Sequence, residues 1–520
     1  MSTWRRFCVL SALIFLVRGM FVLSVLPPFE GWDEYQHLAY IAFLVEKGRD
    51  PVLKQSRVPR SLYPAIVAYP QARFAVDQVG GLGALSYEDF WKADAAPAVA
   101  RDAPSLPLYQ AQHAPFYYQL MTPVFRMLWN ANSPLRLITA LRLINILFGA
   151  AAVLVAGLAI GRLVLGPTRY MIVLLIALQP LFLMNCARVG SDALAVLLGT
   201  IVVAGIVRYI PRRTTLASIG LGVCRGLAIL AKSSSLALLP FVLFVPASFA
   251  WHRRLAIRRA ALAALLIVAA AGAVTLHRFR FNLAHYGVLT PMQEAVENHE
   301  HGRGFDDLVR AAVDVNWFKR LSHQYAWSSL WEGGWSYLKP PRFLSQAHRA
   351  CVALTALGWC LAVHATYRRR RLFTEPGTAA RLAVLGCGFA AGLAYHTVHG
   401  MVATGAKYTN VWYAAVSFPW LICLFVQSAA YLPSKWPRRI LPAGLAIVYV
   451  ATEIYGTLGV MVPEYTRHTW GAIARQRLGQ LHLSGLGPEL TLPALCLEMA
   501  LLATAVCVWI ANARPAPPAA

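Results

Sequence analysis

Asp33 and Glu34 stand side by side in "PPFEGWDEYQHLAY", residues 27–40, with His37 one helical turn further on. Neighbouring carboxylates with a histidine in reach suit two kinds of chemistry. One is a general base that takes a proton from a hydroxyl; the other is a set of ligands for a divalent cation. Glu30, in the same stretch, reads as a group that solvates the loop. Cations follow along the chain: Lys232 in "GLAILAKSSSLALLP", Arg278 and Arg280 in "LHRFRFNLAHYG", and Lys407 beside Tyr408 in "HGMVATGAKYTNVWY". A lysine flanked by apolar runs either snorkels to a membrane interface or meets a phosphate. Arg188 and Asp192 in "NCARVGSDALAV" are four apart and can pair with each other.

These groups are carried by an apolar chain. It has 520 residues, is 58% hydrophobic and 14% charged, and has a mean hydropathy of +0.51. A soluble chain carries nearer a quarter charged residues. Several stretches of about 20 residues are apolar enough to span a bilayer. The expected architecture is an all-α polytopic membrane protein with about 12 transmembrane helices. The net charge of +25 comes in short basic clusters between the apolar runs, which is a topology signal and not a nucleic-acid face. The nine cysteines sit almost entirely inside apolar runs and form no metal or disulfide framework.

Basic clusters orient the spans. Arg5 and Arg6 place the N-terminus in the cytoplasm. Spans are expected over about 7–26, 141–165, 170–187, 191–210, 216–231, 235–250, 258–276, 349–366, 380–398, 408–430, 438–461 and 491–511. With these, every short basic loop is cytoplasmic, as are both termini. A single transmembrane domain, 1–511, then carries external loops at 27–137, 277–347 and 462–490, and 512–520 is a disordered Pro/Ala-rich tail. "HAPFYYQLMTPVFRMLW", 113–129, reads as an interfacial helix within the first loop. On this count one external face collects Asp33, Glu34, His37, Asp192, Lys232, Arg280 and Lys407. Carboxylates and cations at headgroup level match a lipid-linked phosphate under attack by an acceptor.

The motifs, in order, resemble the GT-C superfamily of membrane glycosyltransferases, which use polyprenyl-phosphate-linked sugars. "PPFEGWDEYQH" is similar to the acidic motif of that family's first external loop, and "YQAQHAPFYYQL" (109–120) to its interfacial-helix segment. "LRLINILFGAA", "QPLFLMNCARVGSDALA", "RGLAILAKSSSL" and "RFNLAHYG" resemble its later helix ends and turns. Aminoarabinose transferases and protein O-mannosyltransferases are more distant branches of the resemblance. It implies a GT-C-like bundle with interfacial helices in a long first external loop. It implies Asp33 as catalytic base with Glu34 as second candidate, and Lys232, Arg280, Lys407 and Tyr408 at the donor phosphate. His37, His113 and Asp192 would line the acceptor side of the cavity. A divalent cation is open, with Asp33, Glu34 and His37 as its ligands. The implied partners are a polyprenyl-phosphate-linked sugar, a glycan, lipid or protein acceptor, and membrane lipids, with the site on the periplasmic side of a bacterial inner membrane. Two features depart from the family. "GAKY" (405–408) stands where relatives have Gly-Arg-Tyr, and the soluble domain that ends many relatives has no counterpart here, so acceptor recognition falls to the external loops. The competing reading is a polytopic lipid or small-molecule transporter or flippase; against it, no internal repeat is evident.

Overall fold

A computed structural model of the chain describes residues 2–130, 133–164, 166–209, 215–251, 255–368, 378–405, 410–433, 435–482 and 487–513. Among the described residues the protein is all helix and loop, with three isolated bridges in place of strands. Eight helical segments are long and apolar enough to cross a membrane: Thr3–Leu23, Leu135–Leu163, Ser233–Trp251, Ile257–Tyr286, Ala380–Thr404, Val411–Tyr431, Ile440–Thr466 and Pro488–Asn512. Thr168–Leu178 and Pro180–Cys186, bent by 48°, make a ninth if counted as one span. The protein is therefore multi-pass; among the described residues, length and composition pick out eight or nine crossings, and sequence patterning gives about 12. The three remaining segments are helices outside that set. They are Asp192–Tyr209, Thr215–Ala231, which is 17 residues long, and Arg342–Arg368.

Small residues and buried ions hold the bundle together. Gly222 and Gly226 let helix 215–231 lie directly on helix 257–286: a Cβ on Gly222 would sit 2.6 Å from the Ile267 carbonyl oxygen. Arg18, fully buried in helix 3–23, pairs with Glu453, lies 3.5 Å from Glu498 and donates to the Ala177 carbonyl. The first helix is thus joined to two late helices and to the residue before the 48° bend. That bend falls at Gln179–Pro180, where proline cannot continue the hydrogen-bond ladder.

Helix 257–286 runs ten residues beyond the expected span end at 276 and stops where Gly287 takes a left-handed conformation, φ 68°. Arg278 and Arg280 therefore lie on a helix and not in a loop. At about 100° per residue they face nearly opposite ways, one buried and the other exposed. Of the expected tail, Asn512 and Ala513 close the last helix, and residues beyond 513 lie outside the described ones.

The segment between the first two long helices folds as a helical layer. It contains Glu34–Lys47, short turns over 60–90, and Phe116–Leu128, close to the interfacial helix expected at 113–129. Glu30 pins this layer to residues 329–338. Far from being solvated, it is fully buried; its carboxylate accepts hydrogen bonds from the Tyr87 hydroxyl (3.0 Å) and the Ser336 amide (2.7 Å), and its carbonyl accepts the Trp335 amide (2.6 Å). Burial lifts the Glu30 carboxyl from 4.5 to about 7. A raised acid binds more protons in the folded state than in the unfolded one. Its contribution is full below pH about 4.5 and is lost as the pH rises through about 7. Thermal unfolding in detergent should show lower stability at pH 8 than at pH 5. Glu30→Gln should flatten up to about 3 kcal/mol of that dependence.

Candidate functional site

The two prolines at 27 and 28 stop helical structure after the first span, and the chain turns tightly before Glu34–Lys47 begins. Asp33 caps that helix in the left-handed region, φ 57°, and makes no side-chain capping bond. A non-glycine residue there costs on the order of 1 kcal/mol and persists only where its surroundings enforce it. The result is a carboxylate directed away from its own helix. It accepts hydrogen bonds from the Tyr109 hydroxyl (2.6 Å) and the Gln110 amide (3.1 Å).

Glu34 faces elsewhere. It forms a two-point pair with Arg142 (2.8 and 2.5 Å) and accepts the Val189 amide at 2.8 Å. Arg142 also donates to the Leu26 and Pro27 carbonyls, both at 2.7 Å. Glu34 is thus committed to holding the turn, and it does not line the cavity that Asp33 faces.

That cavity has a volume of about 1040 Å³. Its polar half holds Asp33, His37, His113, Arg188, Asp192 and Lys232; Leu236, Leu239, Pro240, Phe389 and Leu393 contribute an apolar half. Lys232 sits in extended conformation between helix 215–231 and the 3-10 turn Ser233–Leu238. Arg188 lies in the turn after Pro180–Cys186, which Asn145 grips through the Arg188 (2.6 Å) and Gly190 (3.0 Å) carbonyls. Arg188 donates to the Trp32 carbonyl (2.6 Å) and to Asp192 (2.5 Å), and Lys232 pairs with the other oxygen of Asp192. Trp412 stacks on Trp32 with ring centroids 4.6 Å apart.

His37 and His113 stack nearly parallel at 6.1 Å, and His37 Nδ1 is 2.8 Å from the Tyr118 hydroxyl. Burial holds the His37 ring well below its ordinary value and brings His113 down to about 3. Both rings are neutral at physiological pH and can donate or accept a hydrogen bond without adding charge. Burial raises the Asp33 carboxyl, against the Tyr109 hydrogen bond and the nearby Arg188 and Lys232 charges. A carboxylate raised in this way is a better proton acceptor than one in water.

Of the expected site residues, Asp33, His37, His113, Asp192 and Lys232 share this cavity; Glu34 and Arg280 do not. Arg280 is exposed on helix 257–286, while Arg278 on the opposite side donates to the His113 carbonyl at 2.9 Å. Lys407 and Tyr408 lie outside the described residues. Asp33, Glu34 and His37 do not converge. No cluster of three or more acidic, histidine or cysteine residues able to hold a metal occurs among the described residues. Tyr109, Gln110 and Trp412 carry no role in the sequence reading, although the first two stand in the quoted 109–120 motif. Arg142 had one signal, a charge one residue into the apolar stretch "LRLINILFGAA".

No family model matches the sequence, and no curated protein matches it. Among solved structures the chain is similar to ArnT from Cupriavidus metallidurans bound to undecaprenyl phosphate, at 13% identity and a TM-score of 0.45, covering 97% of this chain and 74% of that one. It is also similar to the Archaeoglobus fulgidus oligosaccharyltransferase in complex with zinc and sulfate, at 13% identity and a TM-score of 0.43, over 90% of this chain and 53% of that one. AglB from the same organism, in complex with an inhibitory peptide and a dolichol-phosphate, gives 14% identity and a TM-score of 0.38, over 99% and 56%. The chain thus spans about half the length of the oligosaccharyltransferase.

The Glu34–Arg142 pair gives a direct test of this site's framework. Arg142→Met leaves a buried carboxylate unpaired and should cost about 3–5 kcal/mol of stability. Glu34→Gln combined with Arg142→Met should recover a large part of that loss. Thermal or denaturant unfolding in detergent reads both.

Proposed function

We propose that the protein is a glycosyltransferase that moves a sugar from a polyprenyl-phosphate donor to an acceptor hydroxyl. One observation carries the reading: a single cavity is lined by the Asp33 carboxylate, which is met by neutral hydrogen-bond donors, by the cations Arg188 and Lys232, and by an apolar wall. The apolar wall suits a polyprenyl chain entering between helices. Lys232, joined by Arg188, is suited to the donor phosphate. In this reading Lys407 and Tyr408, just before the cavity-lining Trp412 and Tyr413 in sequence, complete the phosphate set.

Asp33 is the base. Its carboxylate takes the proton of the acceptor hydroxyl as that oxygen attacks the anomeric carbon from the face opposite the phosphate. The bond from the anomeric carbon to the phosphate oxygen breaks, and its electron pair leaves with the polyprenyl phosphate. A single displacement of this kind inverts the anomeric centre. Lys232 and Arg188 stabilise the charge that grows on the departing phosphate. His37 and His113, neutral and beside the base, are suited to hydrogen bonds with the incoming acceptor, which is a glycan, a lipid or a protein. Glu34 supports Asp33 by fixing the turn.

The distribution of short basic clusters supports a cytoplasmic N-terminus and a site on the opposite face, the periplasmic side of a bacterial inner membrane in this reading. Purified protein offered a panel of polyprenyl-phosphate sugars and candidate acceptors should form a glycosylated product. Asp33→Asn should lower transfer by about 10²- to 10⁴-fold while donor binding and the unfolding midpoint stay near wild type. Full activity in Asp33→Asn would remove Asp33 from the mechanism.

A further inference from the structure

The polar end of the cavity contains a charge that the transfer reaction does not need. Asp192 is 2% exposed, and each of its carboxylate oxygens is taken by one cation, Arg188 or Lys232, themselves only 2% and 6% exposed. A site built only to bind phosphate as tightly as it can would leave both cations free for the ligand.

The cations have other supports. Arg188 is held by the Trp32 carbonyl, and its guanidinium lies 5.2 Å from the centre of the Trp32 ring. Lys232 lies 5.2 Å from the centre of the Tyr413 ring, an attraction that does not reduce its charge. Donor capacity also remains. Arg188 Nε has no protein partner, and an ammonium that gives one hydrogen to Asp192 keeps two more. Of the other titratable side chains that line the cavity, His37 and His113 are held neutral by burial, Asp33 and Glu294 are acids, and His396 is the third histidine. Asp192 therefore offsets one of the two described cations, and Arg188 has a second anchor in the Trp32 carbonyl.

We propose that Asp192 is a charge filter of the phosphate subsite, a specificity-determining residue that offsets one cation and so lowers the preference the two cations alone would give pyrophosphate-linked lipids over a singly charged phosphodiester donor. The proposal rests on the glycosyltransferase reading above and deepens it. The physical reason is that Coulomb energy scales with the charge of the ligand. A fixed negative group beside the cations opposes a pyrophosphate more than a phosphate monoester, and a monoester more than a diester. The same group weakens the hold on the product, because transfer converts the diester into a monoester that carries more charge. Selection against the polyanion and release of the product thus have one source.

Equilibrium binding of polyprenyl phosphate and polyprenyl pyrophosphate to the purified full-length protein tests this at low ionic strength, without turnover. Asp192→Asn is expected to raise affinity for the pyrophosphate by about tenfold or more relative to the phosphate. Asp192→Glu, which keeps the charge, should keep the wild-type ratio. If unfolding measurements show that Asp192→Asn does not fold, Lys232→Gln gives the opposite arm: the pyrophosphate should lose more affinity than the phosphate. A ratio unchanged in Asp192→Asn, or equal losses for both lipids, overturns the charge filter and leaves Asp192 as an orienting group. An unchanged ratio in Lys232→Gln overturns it as well. Wild-type protein that binds neither lipid overturns the donor reading, and the filter with it.

Discussion

The two-point pair between Glu34 and Arg142 is the constraint on which the site depends. Arg142 reaches from the helix Leu135–Leu163 into the turn that follows the first span. There it satisfies both Glu34 oxygens and two backbone carbonyls, Leu26 and Pro27. Glu34 in turn holds the Val189 amide, next to Arg188. Three separate stretches of chain meet at one buried ion pair. Such a pair is favourable only when the desolvation of both charges is offset by a full set of hydrogen bonds, as it is here. Once Glu34 is fixed, Asp33, the residue before it, has little freedom. Its left-handed backbone is enforced from outside, and its carboxylate is left facing the cavity.

The electrostatics of the cavity follow from the same economy of charge. Buried histidines stay neutral, so the polar end is governed by two cations and two carboxylates. Each carboxylate has a different environment. Asp192 is clamped between Arg188 and Lys232, whereas Asp33 is met by the neutral groups of Tyr109 and Gln110. Two acids of one chemical type are thereby given two behaviours. One stays ionised as part of a network, and the other is free to accept a proton. Separating neighbouring acids by environment is a general way to divide roles in a site.

Much of this was legible in the sequence because charge is costly in an apolar chain, so its presence is informative. Asp33, His37, Asp192 and Lys232 declare themselves by type and setting, and five of the nine expected site residues meet in one cavity. Glu34 and Asp33 could not be told apart, because the difference between them is made by an arginine 108 residues away. Arg280 was read as a loop cation because the apolar run ends near 276. The helix continues to Tyr286, and its turn decides which of two arginines is buried. Glu30 looked like a solvated loop acid because the residues that bury it, Tyr87, Trp335 and Ser336, lie far along the chain.

The bent and interrupted helices around the cavity have a common physical origin. The extended residue Lys232 and the irregular turn at 187–191 interrupt helices at the cavity, and the break at Gln179–Pro180 interrupts one outside its lining. Unpaired backbone inside a membrane protein is tolerated only where protein or a polar cavity satisfies it. Asn145 meets that need for the Arg188 turn, and Gln179 does so at the break by donating to Ser329 and accepting the Phe182 amide. The cavity is therefore more than a space left between helices. The interruptions that place Arg188 and Lys232 on its wall also require a polar lining, and that lining in turn makes the interruptions affordable. A continuous helix at either position would place these side chains along the helix face, where they would meet lipid or core instead of one another.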